Sequence, residues 1–201
     1  MEAIHHGPTW IPVRKFYFAE VHPILREIKS RKKNDIIRVS LTNYLIIRLV
    51  SSFECYLINR AQRYVEAYNT DLSILFDEVR DDRKPKGKIV ASSFNYANLN
   101  DVNYVFSKLL NMDFLSEVKK WSEINFRDYY YESEHILWAS PLHRNWNNFI
   151  QIFELRDQIV HKMKKFVLHY KEIRNLAENI LDFLVTCSVI IPTKTGSSRK
   201  L

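Results

Sequence analysis

An all-α fold, a bundle of long antiparallel helices, is predicted by three observations on the sequence. Its 201 residues include only three glycines, Gly7, Gly87 and Gly196. Tight hairpins and phosphate-cradling loops need glycine for its positive φ, so a sheet-rich fold, a P-loop and a dinucleotide fingerprint are disfavoured together. Apolar residues recur at steps of three and four over long stretches, the spacing that lines one face of a helix. The six prolines mostly punctuate these stretches: Pro8 and Pro12 near the start, Pro85 and Pro141 in breaks, Pro192 past the last helix, and only Pro23 inside a helical pattern.

The elements follow in chain order. A first helix is expected from about Val13 to Lys33, kinked before Pro23. Asn34-Asp35 then caps a long helix to about Tyr68, with Ile37, Leu41, Tyr44, Leu45, Leu49, Phe53, Tyr56 and Leu57 at helical spacing. A shorter helix should reach about Val79, and "RDDRKPKGK" reads as a charged loop punctuated by Pro85 and Gly87. From Ala91 to Ile124 small helices are expected, capped by Asn100-Asp101 and Asp113, so that residues from about 80 to 140 form a small helical insertion. "NFRDYYYESEHILWASPLHRNW" is aromatic-rich and irregular, and one last helical stretch runs from about Arg144 to Val189. Residues 1–191 would make a single domain, and residues 192–201 a mobile tail. A strand survives as an alternative only in short pieces such as "KIVASSF".

Composition narrows the class. Hydrophobic residues at 46% and charged residues at 26% suit a folded globular chain rather than a disordered one. Cys55 and Cys187 are far apart and lack metal-ligand spacing, which argues against a zinc site or a disulfide framework and for a reducing cytoplasm. "MEAIHHGPTW" lacks the pattern of a signal peptide, and no stretch looks like the about 20 apolar residues of a membrane span, so a soluble protein with no membrane partner is expected. The formal net charge of +7 suits an anionic partner such as nucleic acid.

The stretch "ELRDQIVHKMKK", residues 154 to 165, carries the chemistry. One apolar stripe of the last helix runs Ile159, Met163, Phe166, Tyr170, Ile173, Ala177, Ile180 and Leu184. A neighbouring one runs Trp146, Phe149, Phe153, position 156, Val160, Met163 and Val167, and in its midst stands Arg156. A guanidinium in a core slot must be paired or open onto a cleft or a partner, because an unpaired buried charge is costly. Asp157 lies one helical step of four before His161 and could orient its ring. Arg156 and His161, five apart, diverge by about 140° on a regular helix and would flank one groove. A long arginine, a helix irregularity or a second copy across a dimer interface could bring them together.

Lys162, Lys164 and Lys165 add positive potential at once. Arginine, histidine and an orienting acid beside a basic surface suit cleavage of RNA without metal. Histidine moves the proton of the ribose 2′-OH or of the leaving oxygen, and arginine clamps the non-bridging oxygens. A chance Arg and His pair of structural origin remains the plain alternative.

These residues resemble the HEPN superfamily (higher eukaryotes and prokaryotes nucleotide-binding), all-α domains in which an arginine, followed by a polar residue, precedes a histidine by four to six intervening residues. "RDQIVH" fits that signature, and "SLTNYLIIRLVSSFECYLINRAQRY" is similar to an early helix of the branch linked to RNase LS and phage defence. The resemblance implies a metal-independent endoribonuclease without a cofactor, a toxin or antiviral effector whose active site forms at a homodimer interface. An antitoxin or sensor protein would then be a further partner. Arg156 would stabilise the phosphate, His161 would transfer protons, Asp157 would orient them, and Glu54 would be a supporting acid. Some members carry a tyrosine two residues after the histidine, which a partner nucleotidyltransferase modifies. Here that position is Met163, so that control is not implied.

His5, His6, His22, His135, His143 and His169 show no HExxH or carboxylate spacing, so no metal is expected. The basic run "REIKSRKKNDIIR", with Arg31, Lys32 and Lys33, is either a solvated helix end or a track for an RNA backbone. Trp121, Phe126, Tyr129, Tyr130, Tyr131 and Trp138 beside Arg127 are either packing or stacking platforms for unpaired bases. Two rivals to the enzyme stay open: a non-catalytic module that binds RNA or a nucleotide, and a helical scaffold in which Arg156 is a structural charge.

Overall fold

The computed structural model describes residues 13, 15–77, 83–123 and 145–191. Among them are seven α-helices and no strand. They are α1 (His22–Ser30), α2 (Ile36–Tyr68), α3 (Lys86–Ser93), α4 (Leu99–Leu110), α5 (Phe114–Glu123), α6 (Trp146–Lys162) and α7 (Tyr170–Ile190).

The expected kink before Pro23 is a turn of π-helix over Tyr17–Val21 that runs directly into α1. A proline has no N–H to return to the preceding turn, and a single π turn absorbs that mismatch without ending the helix. The chain then reverses at Arg31, and Asp35 caps α2, its Oδ1 accepting from the Ile37 and Arg38 amides at 2.8 and 3.3 Å.

α2 is the spine of the bundle. It contains no glycine or proline, and Val39, Thr42, Leu45, Ile46, Leu49, Val50, Phe53, Leu57, Ala61 and Val65 are buried along one side. Two members of the expected stripe do not join it: Ile37 and Tyr44 are 47% and 52% exposed. By length and apolarity alone α2 could cross a membrane, which the sequence reading did not anticipate, but half of its most apolar window is buried inside the bundle.

Phe53 packs edge-on against Phe149 and Phe153, while Asn43 accepts from the Phe166 amide at 3.2 Å, so α6 runs antiparallel to α2. Lys33 meets His169 at one end and Arg60 lies by Cys187 at the other, so α7 runs parallel to α2. Trp146 meets Phe183 edge-on and Phe149 meets it at a tilt, which binds α6 to α7.

Three expectations are corrected. The helix after Tyr68 is only a 3-10 turn, Leu72–Ile74, because Asn69 leaves the helix in the left-handed region at φ 47° and Asp71 caps the next turn at once. Val79 lies outside the described residues. "KGKIVASS" is neither loop nor strand but α3, with Pro85 at its N-cap. Gly87 is there for close approach: a Cβ on it would stand 2.6 Å from the Gln62 carbonyl oxygen of α2. Finally, α4 is capped by Asn98 rather than by Asn100-Asp101, whereas Asp113 does hold the start of α5, accepting from the Ser116 amide.

The last helical stretch is two helices. α6 stops at Lys162, where Met163 turns left-handed at φ 53° and the Met163 and Lys164 amides both return to the Gln158 carbonyl. Residues 163–169 are not helical, and α7 starts at Tyr170 with the Glu172 carboxylate accepting from the His169 amide at 2.5 Å. Met163, expected in two apolar stripes, is 83% exposed. The residues of α3 to α5 join the same buried core through Val90, Tyr96, Phe106, Phe114 and Val118.

The tail from 192, the aromatic segment from 124 to 144 and the histidines at 5, 6, 135 and 143 lie outside the described residues, as do Trp10 and Val79.

Candidate active site

Arg156 follows the buried Ile152 by four residues and precedes the buried Ile159 by three, which is why its aliphatic stem lies on the core-facing side of α6. Its side chain is 22% exposed. Nη1 donates to the Asp157 carboxylate at 2.8 Å, whereas Nε is sealed from solvent with no partner among the described residues. Neighbouring positions on a helix diverge, so this contact depends on the reach of the arginine.

The Asp157 carboxylate is therefore engaged by Arg156 and not by His161, against the expectation that it orients the ring. The guanidinium is the nearer and permanently charged partner, and it wins. His161 stands in the last turn of α6, exposed to solvent, and forms no hydrogen bond among the described residues.

Lys162, Lys164 and Lys165 are exposed where the chain leaves α6, and Lys164 donates to Gln158 Oε1 at 3.0 Å. Of the second basic run, Lys32 is exposed, and Lys33 reaches His169 Nε2 with its Nζ at 2.8 Å. Arg31 is not a free cation: it holds Glu27 at 2.6 Å and Asp35 at 3.4 Å, and these contacts raise its pKa further. Asp35 is correspondingly held below its usual value, first of all by the Ile37 amide. Both acids offset the charge of Arg31.

Residues 166–169, just after the lysines that follow α6, are held by the start of α2 and the basic run before it, about 130 residues earlier in sequence, which the sequence did not reveal. Arg38, 7% exposed, donates from Nη1 to the Arg31 carbonyl at 3.0 Å and from Nη2 to the Leu168 carbonyl at 3.1 Å. With Asn43 holding Phe166 and Lys33 holding His169, it ties residues 163–169 to the start of α2. The sequence marks His169 only as a histidine without metal-ligand spacing, and Arg38 only as part of a charge run. A buried arginine donating to two carbonyls has no sequence signature, since carbonyls belong to every residue.

Glu54 is half-buried beside Phe53 and forms no hydrogen bond or ion pair among the described residues, so it is not joined to Arg156 or His161. No cluster of three or more metal-ligating side chains occurs among the described residues. Arg156, committed in part to Asp157, and the exposed His161, Lys162, Lys164 and Lys165 thus lie within one stretch at the end of α6 and just after it. The chain matches no protein-family model, no curated protein and no solved structure.

Proposed function

We propose that this chain is a metal-independent endoribonuclease of HEPN type, a cytoplasmic toxin or antiviral effector that works as a homodimer with two Arg156/His161 sets in one groove. The observation that carries the reading is Arg156: a half-buried guanidinium on α6, five residues before an exposed His161 that forms no hydrogen bond among the described residues.

In the reaction, His161 of one copy takes the proton of a ribose 2′-OH, and the 2′ oxygen attacks the adjacent phosphorus. The bond to the 5′ oxygen breaks, that oxygen takes up a proton from the second histidine, and a 2′,3′-cyclic phosphate remains. Arg156 stabilises the charge building on the non-bridging oxygens, the role of a preorganised donor. Lys162, Lys164, Lys165, Lys32 and Lys33 bind the flanking backbone. Asp157 holds Arg156 in position. An antitoxin or sensor protein would restrain the activity in the cell.

A second reading has its own support. Because Asp157 neutralises Arg156 and leaves His161 without an orienting acid, a non-catalytic RNA-binding or scaffold module also fits. Light scattering and RNA titration test what the two RNA readings share. A dimer is expected at micromolar concentration, together with affinity that falls steeply with salt and falls further, with a shallower salt slope, when Lys162, Lys164 and Lys165 are all changed to Ala. A monomer whose RNA affinity ignores salt would sink both.

A further inference from the structure

Arg60 of α2 is only 6% exposed, yet its one hydrogen bond among the described residues runs from Nε to the Tyr56 hydroxyl at 2.9 Å. Its guanidinium also lies over the Tyr56 ring, 5.1 Å from the centroid. The N–H groups of Nη1 and Nη2 have no partner there. They are not sealed in either, since no Arg60 atom is among the buried unpartnered ones.

Among the described residues, the titratable side chains that feel this cation are Tyr56 and Cys187, and neither can balance it. Burial pushes the Tyr56 phenol far above its ordinary range and the Cys187 thiol up to about 12, with Arg60 pulling the other way in both cases. Both neighbours are thus neutral at physiological pH. Arg38 satisfies two carbonyls, Arg48 holds Glu20 bidentately at 2.6 and 2.9 Å, and Arg174 holds Glu178 at 2.6 Å. Arg60, as deeply buried as Arg38, has no carboxylate or carbonyl partner among the described residues. A cation this deep in the protein gains from an anionic partner, and its open Nη edges leave a place for one.

We propose that Arg60 anchors an oxyanion site that takes a phosphate group, gripped by the Nη1–Nη2 fork while Tyr56, with Ser188 beside its hydroxyl, holds Nε and the ring face in place. A planar fork with two open edges matches two oxygens of one phosphate, which an ammonium could not do. The site is separate from Arg156 and His161. Asn43 meets Phe166 and Phe53 meets Phe149, so going on along α2 to residue 60 leads toward the start of α6, away from Lys162.

Thermal unfolding of the full chain in inorganic phosphate, against chloride at matched ionic strength, tests this. In an Arg156→Ala background, which removes the phosphate clamp proposed above, the chain should still gain a saturable rise in Tm that Arg60→Met abolishes and Arg60→Lys weakens. Adenosine monophosphate is the second arm: a half-effect at a tenfold lower concentration than phosphate identifies a nucleotide as the occupant, and an equal one identifies the bare phosphate group. With no anion present, Arg60→Met should melt at or above the wild type, because it removes an unbalanced charge. A large fall in Tm there, no phosphate effect in the Arg156→Ala background, or an effect that survives Arg60→Met would overturn the proposal.

Discussion

Replacing Arg38 by Met is the sharpest test of how the start of α2 holds the chain after α6. The methionine keeps most of the apolar stem but removes the donors to the carbonyls of Arg31 and Leu168. Each hydrogen bond from a charged donor contributes about 1.5–3 kcal/mol, so losing two costs about 3–6 kcal/mol. Against this, the sealed and unpartnered Nε disappears and a cation 7% exposed no longer has to be desolvated, returning about 1–3 kcal/mol. Taking the middle of each range, the net expectation is a loss of about 2–3 kcal/mol, a fall in Tm of about 4–12 °C for a chain of this size. Urea unfolding gives the global figure. Amide exchange gives the location: residues 163–169 and the first turn of α2 should lose protection while the Phe53–Phe149 layer keeps its own. A loss below about 0.5 kcal/mol, or exchange that rises evenly along α2, would refute the idea that Arg38 is the tie.

Two further predictions follow from local geometry. Gly87→Ala sets a methyl 2.6 Å from the Gln62 carbonyl, so despite alanine's better helix propensity it should destabilise by about 1–3 kcal/mol in urea unfolding, and an unchanged midpoint would show that α3 can shift freely. Asp35, its pKa depressed below 3.8 by the Ile37 and Arg38 amides and by Arg31, should support the fold fully above that value and cease to do so as pH falls through its lower folded pKa. Thermal melts from pH 7 to pH 2 should therefore show Asp35→Asn close to the wild type at neutral pH, since asparagine also caps, but with a shallower acid decline. An identical decline would mean that the cap carboxylate does not contribute.

How far the sequence could be read depended on what each feature leaves in it. The all-α class was legible because scarce glycine and a period of 3.6 are properties of whole stretches, and the α2 start was legible because Asp35 is a capping residue. The break at Met163 was not. It lacks glycine and proline, and the apolar spacing runs through it, so only the need for α7 to lie parallel to α2 after an antiparallel α6 turns the chain there. Gly87 was misread for the opposite reason: glycine signals both a turn and a close helix contact, and only Gln62 across the gap distinguishes them.

At the candidate site the sequence indicated which groups share α6 but not which of them bond. Arg156 was recognised as misplaced for a core slot, and its sealed Nε agrees with that. Asp157 was assigned to His161 on spacing alone, which ignores the reach of the arginine next to it. Lys33–His169 and Arg38–Leu168 join residues more than 100 positions apart, and no local pattern encodes them.

Cleavage of a mixed single-stranded RNA in EDTA, with the product ends identified by mass, puts the central claim to its most direct test. The account predicts that the wild type leaves 2′,3′-cyclic phosphate ends, that His161→Ala is silent while still folded and dimeric, and that Arg156→Ala is slower by about 100-fold or more, as loss of a transition-state donor would require. RNA left intact by the wild type at every salt concentration, or cut equally well by His161→Ala, would contradict it.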